Sequence, residues 1–387
     1  MASLMSRSPR RDRVVAGYLR RELYPHTEAG RARIDAAPIT GGRVRSLAEL
    51  RAIAPVELAD VGDGREYLVQ PTRRDLLRHG KPTMRLRTAW ASTWGRWDAY
   101  VAAIEPRYRP VHFFTADHVP VGAAAADLVR LAGLGAHWLA ALGVGSHDRI
   151  ALVGGLSAAI EPWQLSGGTR RAGISLAVLD DPAGAARHAV SVVAGSEDAV
   201  AAALSNGVWP GLRIALVLGD SRDDVDRRLA KLGATNDVAV RHAWAPPGTR
   251  SVWFECRGGH AHGWHTTPAA EFVEIDDHDE VLWTGLGWAG TVFLRLRTDL
   301  RAAQLLEGAC GACGVAGVRL MPAPGRPALA RWLSGDSRVA DFRLTGEGAD
   351  VLPTRAGANA RLGKDAASAF AGQTLAIKTK RAWAAES

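Results

Sequence analysis

"SVWFECRGGHAHGWHTTPAAEFVEIDDHDEVLWTGLGWAGTVFLRLRTDL", residues 251–300, carries the clearest structural pattern in the chain. Inside it, "SVWFEC", "EFVEID", "EVLWTGL" and "TVFLRLRT" are short runs rich in branched and aromatic residues. They are closely spaced and partly alternating. Turns such as "PPG" just upstream and "RGG" within separate several of them. That spacing predicts an antiparallel sheet or barrel-like subdomain.

The pattern differs before Val238. "RIALVGG" (149–155), "ISLAVLD" (174–180), "AVSVVAG" (189–195) and "LRIALVLGD" (212–220) are short apolar runs that suit buried strands. Helix-length segments lie between them. "GAAAADLVRLAGLGAHWLAALG" (122–143) has helical spacing, and "PWQLSGGTRRAG" (162–173) reads as helical in its first part. Ser196 is placed to cap "EDAVAAAL", and Ser221 with Asp224 to box the start of "RDDVDRRLAKLG". Four apolar runs alternating with helices predict a mostly parallel sheet covered on its faces. Nearer the start, a helical pattern runs from Val14 to Leu23, "SLAELRAIAPVE" is a short helix closed by Pro55, and "TRRDLLRHG" is another ending at Gly80. The expected organisation is a basic segment at 1–45, an α/β part at 46–237, an antiparallel subdomain at 238–315 and a small, reduced C-terminal domain at 316–387.

Composition narrows the function classes. The chain has 387 residues, 47% hydrophobic and 23% charged, enough for a substantial core. Its formal charge of +8 comes mostly from arginine spread along the sequence, so no polyanion surface is expected. The apolar run from Val121 to Leu142 is broken by Asp127 and Arg130, and no other run is long enough for a membrane span. The opening "SRSPRRDRVV" lacks the apolar core of a secretory signal, so a cytoplasmic location is expected.

Three cysteines cannot build a disulfide framework, but their placement is informative. "GACGACG" sets Cys310 and Cys313 in a C-x-x-C knuckle. Cys256 lies in "FECRGGHAHGWH" beside His260, His262 and His265. Three thiolates and one of these imidazoles would complete a closed tetrahedral zinc site. That site would tie together the two ends of the antiparallel region and leave no open position for catalysis.

On these residues the sequence resembles the phenylacetate–CoA ligase family of adenylate-forming enzymes, from about residue 46 to 320. "SLAELRAIAPVELADV" and "TRRDLLRHG" resemble the family's entry segment. Residues 251–300 resemble its Glu-Cys pair, Gly-x-His, acidic strand and "R-Y-R-T-x-D" close, and "CGACG" resembles the knuckle that follows. The resemblance implies an adenylate-forming α/β fold, a large N-terminal domain with a small C-terminal lid. It also maps structural zinc to Cys256, His265, Cys310 and Cys313. Members use ATP and magnesium to activate a carboxylic acid as an acyl-adenylate and pass it to coenzyme A.

The nucleotide motifs depart from the family. Its Ser/Thr/Gly phosphate loop falls on Trp90 to Gly95, where Thr93 and Gly95 fit and Arg96 replaces the basic residue that follows. Its "Y-G-x-[ST]-E" falls on "AWAPP", with Pro247 at the magnesium-side glutamate. Asp299 matches the ribose-binding aspartate, but "RLRTDL" lacks one residue between Thr and Asp. Lys364, Lys378 and Lys380 are available for the lid lysine without a recognisable context. Trp90, Trp94, Trp97, Val101 and Ile104 recur at helical spacing, which predicts a core-facing helix rather than a loop of bare amides. Alternatively, the indoles line a pocket for an aromatic ligand or base, with Arg96 as the anion contact.

Two readings stay open. In one, the chain is a scaffold that has lost or altered ATP-dependent activation and serves as a binding or assembly protein, through a protein partner or a second copy of itself. In the other, it is an active acid–CoA ligase. Nucleic-acid binding is not expected, because the basic charge is dispersed and the tryptophans read as core.

Overall fold

The computed structural model describes residues 9–39, 44–62, 64–72, 110–116, 119–155, 159–181, 189–205, 209–219, 223–277, 279–322, 333, 338–345, 348–354, 362, 364–365 and 376–379. The predicted helix at 73–80 and the tryptophan stripe at 90–104 lie outside them.

The chain opens with α1 (Pro9–Tyr18), continued by a π-helical turn at Leu19–Leu23, then α2 (Glu28–Ala36) and α3 (Leu47–Arg51). Ser46 caps α3 by accepting the Glu49 amide at 3.2 Å, as its place before "LAEL" requires. A hairpin of β1 (Pro110–Ala116) and β2 (Val119–Ala124) leads into α4 (Ala125–Ala141). The helix therefore starts at Ala125 rather than near Gly122, because Gly122 to Ala124 pair with β1. Asp127 marks the true start: its carboxylate accepts the Ala124 amide at 3.0 Å. Buried beside Arg250 at 2.7 Å, the same carboxylate also accepts the Ala289 amide, fixing the helix start against the antiparallel half.

The large sheet follows: β3 (Arg149–Val153), α5 (Ile160–Ala172), β4 (Ser175–Leu179), β5 (Val192–Gly195), α6 (Glu197–Ser205), β6 (Ile214–Leu218), α7 (Asp223–Asn236) and β7 (Ala239–Trp244). Strands β3 to β7 pair in parallel. Parallel pairing extends one strand past Val238, since Ala239–Trp244 runs alongside β6 and reverses only into β8. β4 was expected as a buried run. It is the edge of the sheet instead, and Val178 is 45% exposed. Helix α5 runs straight through Gly167 and Gly168. A Cβ on Gly168 would lie 2.5 Å from the Gly135 carbonyl carbon, so these glycines let α4 and α5 touch backbone to backbone.

The remaining strands are β8 (Trp253–Phe254), β9 (Trp264–His265), β10 (Glu271–Ile275), β11 (Glu280–Gly285), β12 (Leu296–Ala309) and β13 (Ala316–Pro322). They continue the same sheet antiparallel, in the order β10-β11-β12-β13-β9-β8-β7-β6-β5-β3-β4. Of "TVFLRLRT", only the portion from Leu296 enters a strand, which then runs 14 residues. A separate three-stranded sheet of β14 (Val339–Thr345), β15 (Gly348–Pro353) and β16 (Ala376–Thr379) forms the C-terminal unit. The architecture is α/β, a large mostly parallel sheet extended by antiparallel strands. Among the described residues, no helix is long and apolar enough to cross a membrane.

Candidate functional site

Two loops build the cysteine–histidine cluster. The first leaves β8 at Glu255 and Cys256, turns at Arg257–Gly258, forms a 3₁₀ turn over His260–His262, and enters β9 at Trp264–His265. Gly259 and Gly263 sit at φ +72°, a conformation that glycine adopts without strain. Gly258 is needed for space, because a Cβ there would be 2.4 Å from both Ala312 and the His262 ring. The second loop is the tip of the β12–β13 hairpin. Cys310 donates its amide to Val315 at 2.9 Å, and Gly314 donates to the Cys310 carbonyl at 2.8 Å. Pairing of Arg319 with His265 lays β13 on β9 and brings the knuckle against the first loop.

The ligand atoms of Cys256, His265, Cys310 and Cys313 all lie within 4.8 Å of one another. Cys256 Sγ is 3.9 Å from Cys310 Sγ, and Cys313 Sγ is 3.7 Å from His265 Nε2. A tetrahedral zinc site sets sulfur–sulfur edges at about 3.8 Å and sulfur–nitrogen edges at about 3.6 Å. The donor set therefore fits that ion. Cys256, Cys310 and His265 are buried, and Cys313 is half-buried.

The electrostatics follow from burial. His265 is held down to about 4, first by burial and then by the Arg319 charge, so its ring is neutral and its lone pair available. Burial pushes the Cys256 thiol up to about 12. Burial opposes ionisation of Cys310 too, but the Cys313 and Ala312 amides outweigh it and hold the thiol below its usual range. Phe254 stacks on His265 at 5.2 Å and 16°, fixing the ring plane. Glu255 is buried, accepts the His242 amide at 3.1 Å and meets His260 Nδ1 at 3.1 Å, which anchors the loop to β7. His262 was passed over in favour of His265. Its Nδ1 nevertheless lies 3.7 Å from Cys310 Sγ. The glycine that makes room for its ring, Gly258, was the available signal.

The cluster lies away from the carboxyl ends of the parallel strands. Ala243 and Trp244 pair with Phe254 and Trp253, so β8 runs back along β7 and delivers Cys256 beside its amino-terminal half. The Arg241 guanidinium donates to the Arg257 carbonyl there at 2.8 Å. Ligands of open α/β sheets sit at the opposite, carboxyl end.

At that carboxyl end, β7 exits into Ala245-Pro246-Pro247-Gly248-Thr249. Thr249 closes the turn on the Pro246 carbonyl with its amide at 2.9 Å and its hydroxyl at 2.8 Å. Gly248, at φ +80°, is packed so that a Cβ would lie 2.8 Å from Leu296. Sequence reading missed one carboxylate here. Glu161, in the first turn of α5, is buried and accepts the Ala245 amide at 2.9 Å. Burial, opposed by that hydrogen bond, raises its pKa above the usual carboxylate range. Asp299 lies where the β11–β12 register shifts: Glu280 faces Arg301, but Leu282 faces Arg297. The irregularity falls at residues 298–300. Thr93, Gly95 and Arg96 lie outside the described residues, as does Lys380. Lys364 and Lys378 fall in the C-terminal unit.

Compared by sequence, the chain matches no family model and no curated protein. Compared by structure, it resembles solved adenylate-forming enzymes. A 2-hydroxyisobutyryl-CoA ligase in its postadenylation state with R3-HIB-AMP superposes with a TM-score of 0.60 at 14% identity, over 99% of this chain and 91% of that one. The same ligase in an open conformation with 2-HIB-AMP and CoA gives 0.58 at 13% identity, over 100% and 94%. The match runs through the C-terminal unit as well as the large sheet. The chain has the fold of the adenylate-forming ligases.

Proposed function

We propose that this chain is a divergent, phenylacetate–CoA-ligase-like protein of the adenylate-forming fold in which ATP-dependent carboxylate activation is lost or altered. It serves as a cytoplasmic binding or assembly scaffold, engaging a protein partner or a second copy of itself. The observation that carries this reading is the Pro246-Pro247-Gly248 turn. It puts two residues without amide protons, and no carboxylate, where the resemblance calls for the magnesium-side glutamate, and it is packed against Leu296 and Leu58. Cys256, His265, Cys310 and Cys313 would hold a structural zinc that closes the two loops on each other. The ion would supply cohesion only, because four protein ligands leave no open position and the centre lies at the opposite edge from the cleft.

The test is purified protein assayed for metal, nucleotide binding and carboxylate-dependent ATP–pyrophosphate exchange. About one zinc per chain, no exchange with a broad panel of acids and no melting shift with ATP and magnesium are expected. Micromolar ATP binding would overturn the reading.

A second reading, an active acid–CoA ligase, draws support from two observations. The fold match extends over nearly the whole of a CoA ligase. Glu161 also brings a carboxylate to Ala245, two residues from Pro247. In that reading Thr93, Gly95 and Arg96 would face the ATP phosphates, Asp299 would hold the ribose, and a carboxylic acid and coenzyme A would be the other substrates. Exchange that Glu161→Gln abolishes would favour it.

A further inference from the structure

The three thiols of the metal centre differ in their surroundings. Cys256 is 0% exposed and Cys310 2%, whereas Cys313 is half-buried. The sulfur of Cys310 gathers the amides of Ala312 and Cys313 and lies 3.7 Å from His262 Nδ1. The sulfur of Cys256 accepts the Gly258 amide at 3.4 Å. Donors of this kind draw charge off a thiolate and weaken it as a nucleophile. The Cys313 sulfur meets the centre itself, at 3.7 Å from His265 Nε2. Its neighbours Gly311 and Gly314 are exposed, and a Cβ on either would meet nothing within 4 Å among the described residues. A small reagent therefore reaches Cys313 from the knuckle tip without entering the cleft.

We propose that Cys313 is a modification site, the thiolate of this centre that a peroxide or a soft electrophile attacks first. With hydrogen peroxide, the Cys313 sulfur displaces hydroxide from the O–O bond and becomes a sulfenic acid. A neighbouring thiolate, Cys310 or Cys256, both within 4.8 Å, then attacks the sulfenic sulfur and expels a second hydroxide. Two thiolates lose two electrons, one peroxide gains them, and a disulfide replaces two ligands. The remaining thiolate and imidazole would hold an ion poorly, so bound zinc would be released; a Cys310–Cys313 disulfide would free the knuckle from the Cys256 loop, whereas a Cys256–Cys313 disulfide would tie the two together. Both zinc release and the order of cysteine reactivity rest on the metal reading above, because the order applies to a centre in which all three sulfurs are thiolates.

The test uses the full chain freed of reductant. Limiting iodoacetamide followed by peptide mapping is expected to label Cys313 about tenfold faster than Cys256 or Cys310. Stoichiometric peroxide is expected to release zinc to a chromogenic chelator in step with a mass loss of about 2 Da. Zinc-loaded protein that labels all three cysteines equally, or Cys310 first, would overturn the inference while leaving the metal reading intact. Protein that binds neither zinc nor cobalt would sink the metal reading, and the premise of the reactivity order with it. Cys313→Ser extends the test: the fast labelling phase disappears if the inference holds and persists on another cysteine if it does not.

Discussion

The two ends of β7 meet different fates. At its amino-terminal half the chain has cleared space: Gly258, Gly259 and Gly263 fold a loop tightly enough to bring three sulfurs and an imidazole together. At its carboxyl end the chain has filled space, with a proline pair and a glycine whose missing Cβ is already occupied by Leu296. The first arrangement gathers donor atoms that suit an ion, its sulfurs and imidazole nitrogen lying within 4.8 Å of one another. The second is satisfied by itself. The contrast teaches that scaffold cohesion and cleft chemistry are separable in this fold, because different glycines and different loops build them.

The largest effect that would sharpen this contrast comes from the metal end. Cys310→Ser or Cys256→Ala should abolish stoichiometric zinc and lower the melting temperature by more than about 10 °C, since a structural zinc contributes on the order of 10 kcal/mol in small domains. Metal analysis and calorimetry measure it, and an unchanged melting curve would break the comparison. The next effect lies at the start of α4. Asp127→Ala leaves Arg250 buried without its carboxylate and should cost about 3–5 kcal/mol in denaturant unfolding. Gly168→Val comes third, because its side chain has no room against Gly135. It should cost about 1–3 kcal/mol without changing metal content.

The smallest effect separates the two readings of the cleft. The folded pKa of Glu161 is raised by burial, so its contribution to stability is fully present below the unfolded carboxylate value. It is lost as pH rises through the folded one. Glu161→Gln keeps an acceptor for the Ala245 amide and removes the titration. The variant should match wild type in acid and equal or exceed it in stability at neutral pH, by about 1 kcal/mol. Wild type that is the more stable at neutral pH would show that the charge has a partner at this end of β7.

Much of this fold was legible because short apolar runs between caps and glycines have few other readings. "RIALVGG" and "LRIALVLGD" became β3 and β6 within two residues. Misreadings arose where a partner distant in sequence decided the outcome. Ala239–Trp244 fell inside the expected antiparallel subdomain at 238–315, yet its partner on one side is β6, in parallel. "PWQLSGGTRRAG" read as helical only in its first part, yet the helix runs through Gly167 and Gly168, which let α4 pack against it. For the cysteine–histidine cluster, chemistry supplied the cysteines and left three histidines open. The resemblance chose His265, and the structure sets it 3.7 Å from Cys313. Glu161 was invisible because nothing in "AAIEPW" signals that its carboxylate meets an amide 84 positions away.

Strand β12 runs from the register shift at Asp299 to the cysteine knuckle that begins at Cys310. Its side chains alternate between faces, and pairing with β13 fixes the alternation from Gln304 to Ala309. Deleting a single residue from that span would rotate Cys310 half a turn and point its sulfur away from its companions. All four ligands would still be present in the sequence, so counting cysteines and histidines across related chains would overlook such a loss, whereas counting the residues between them would catch it.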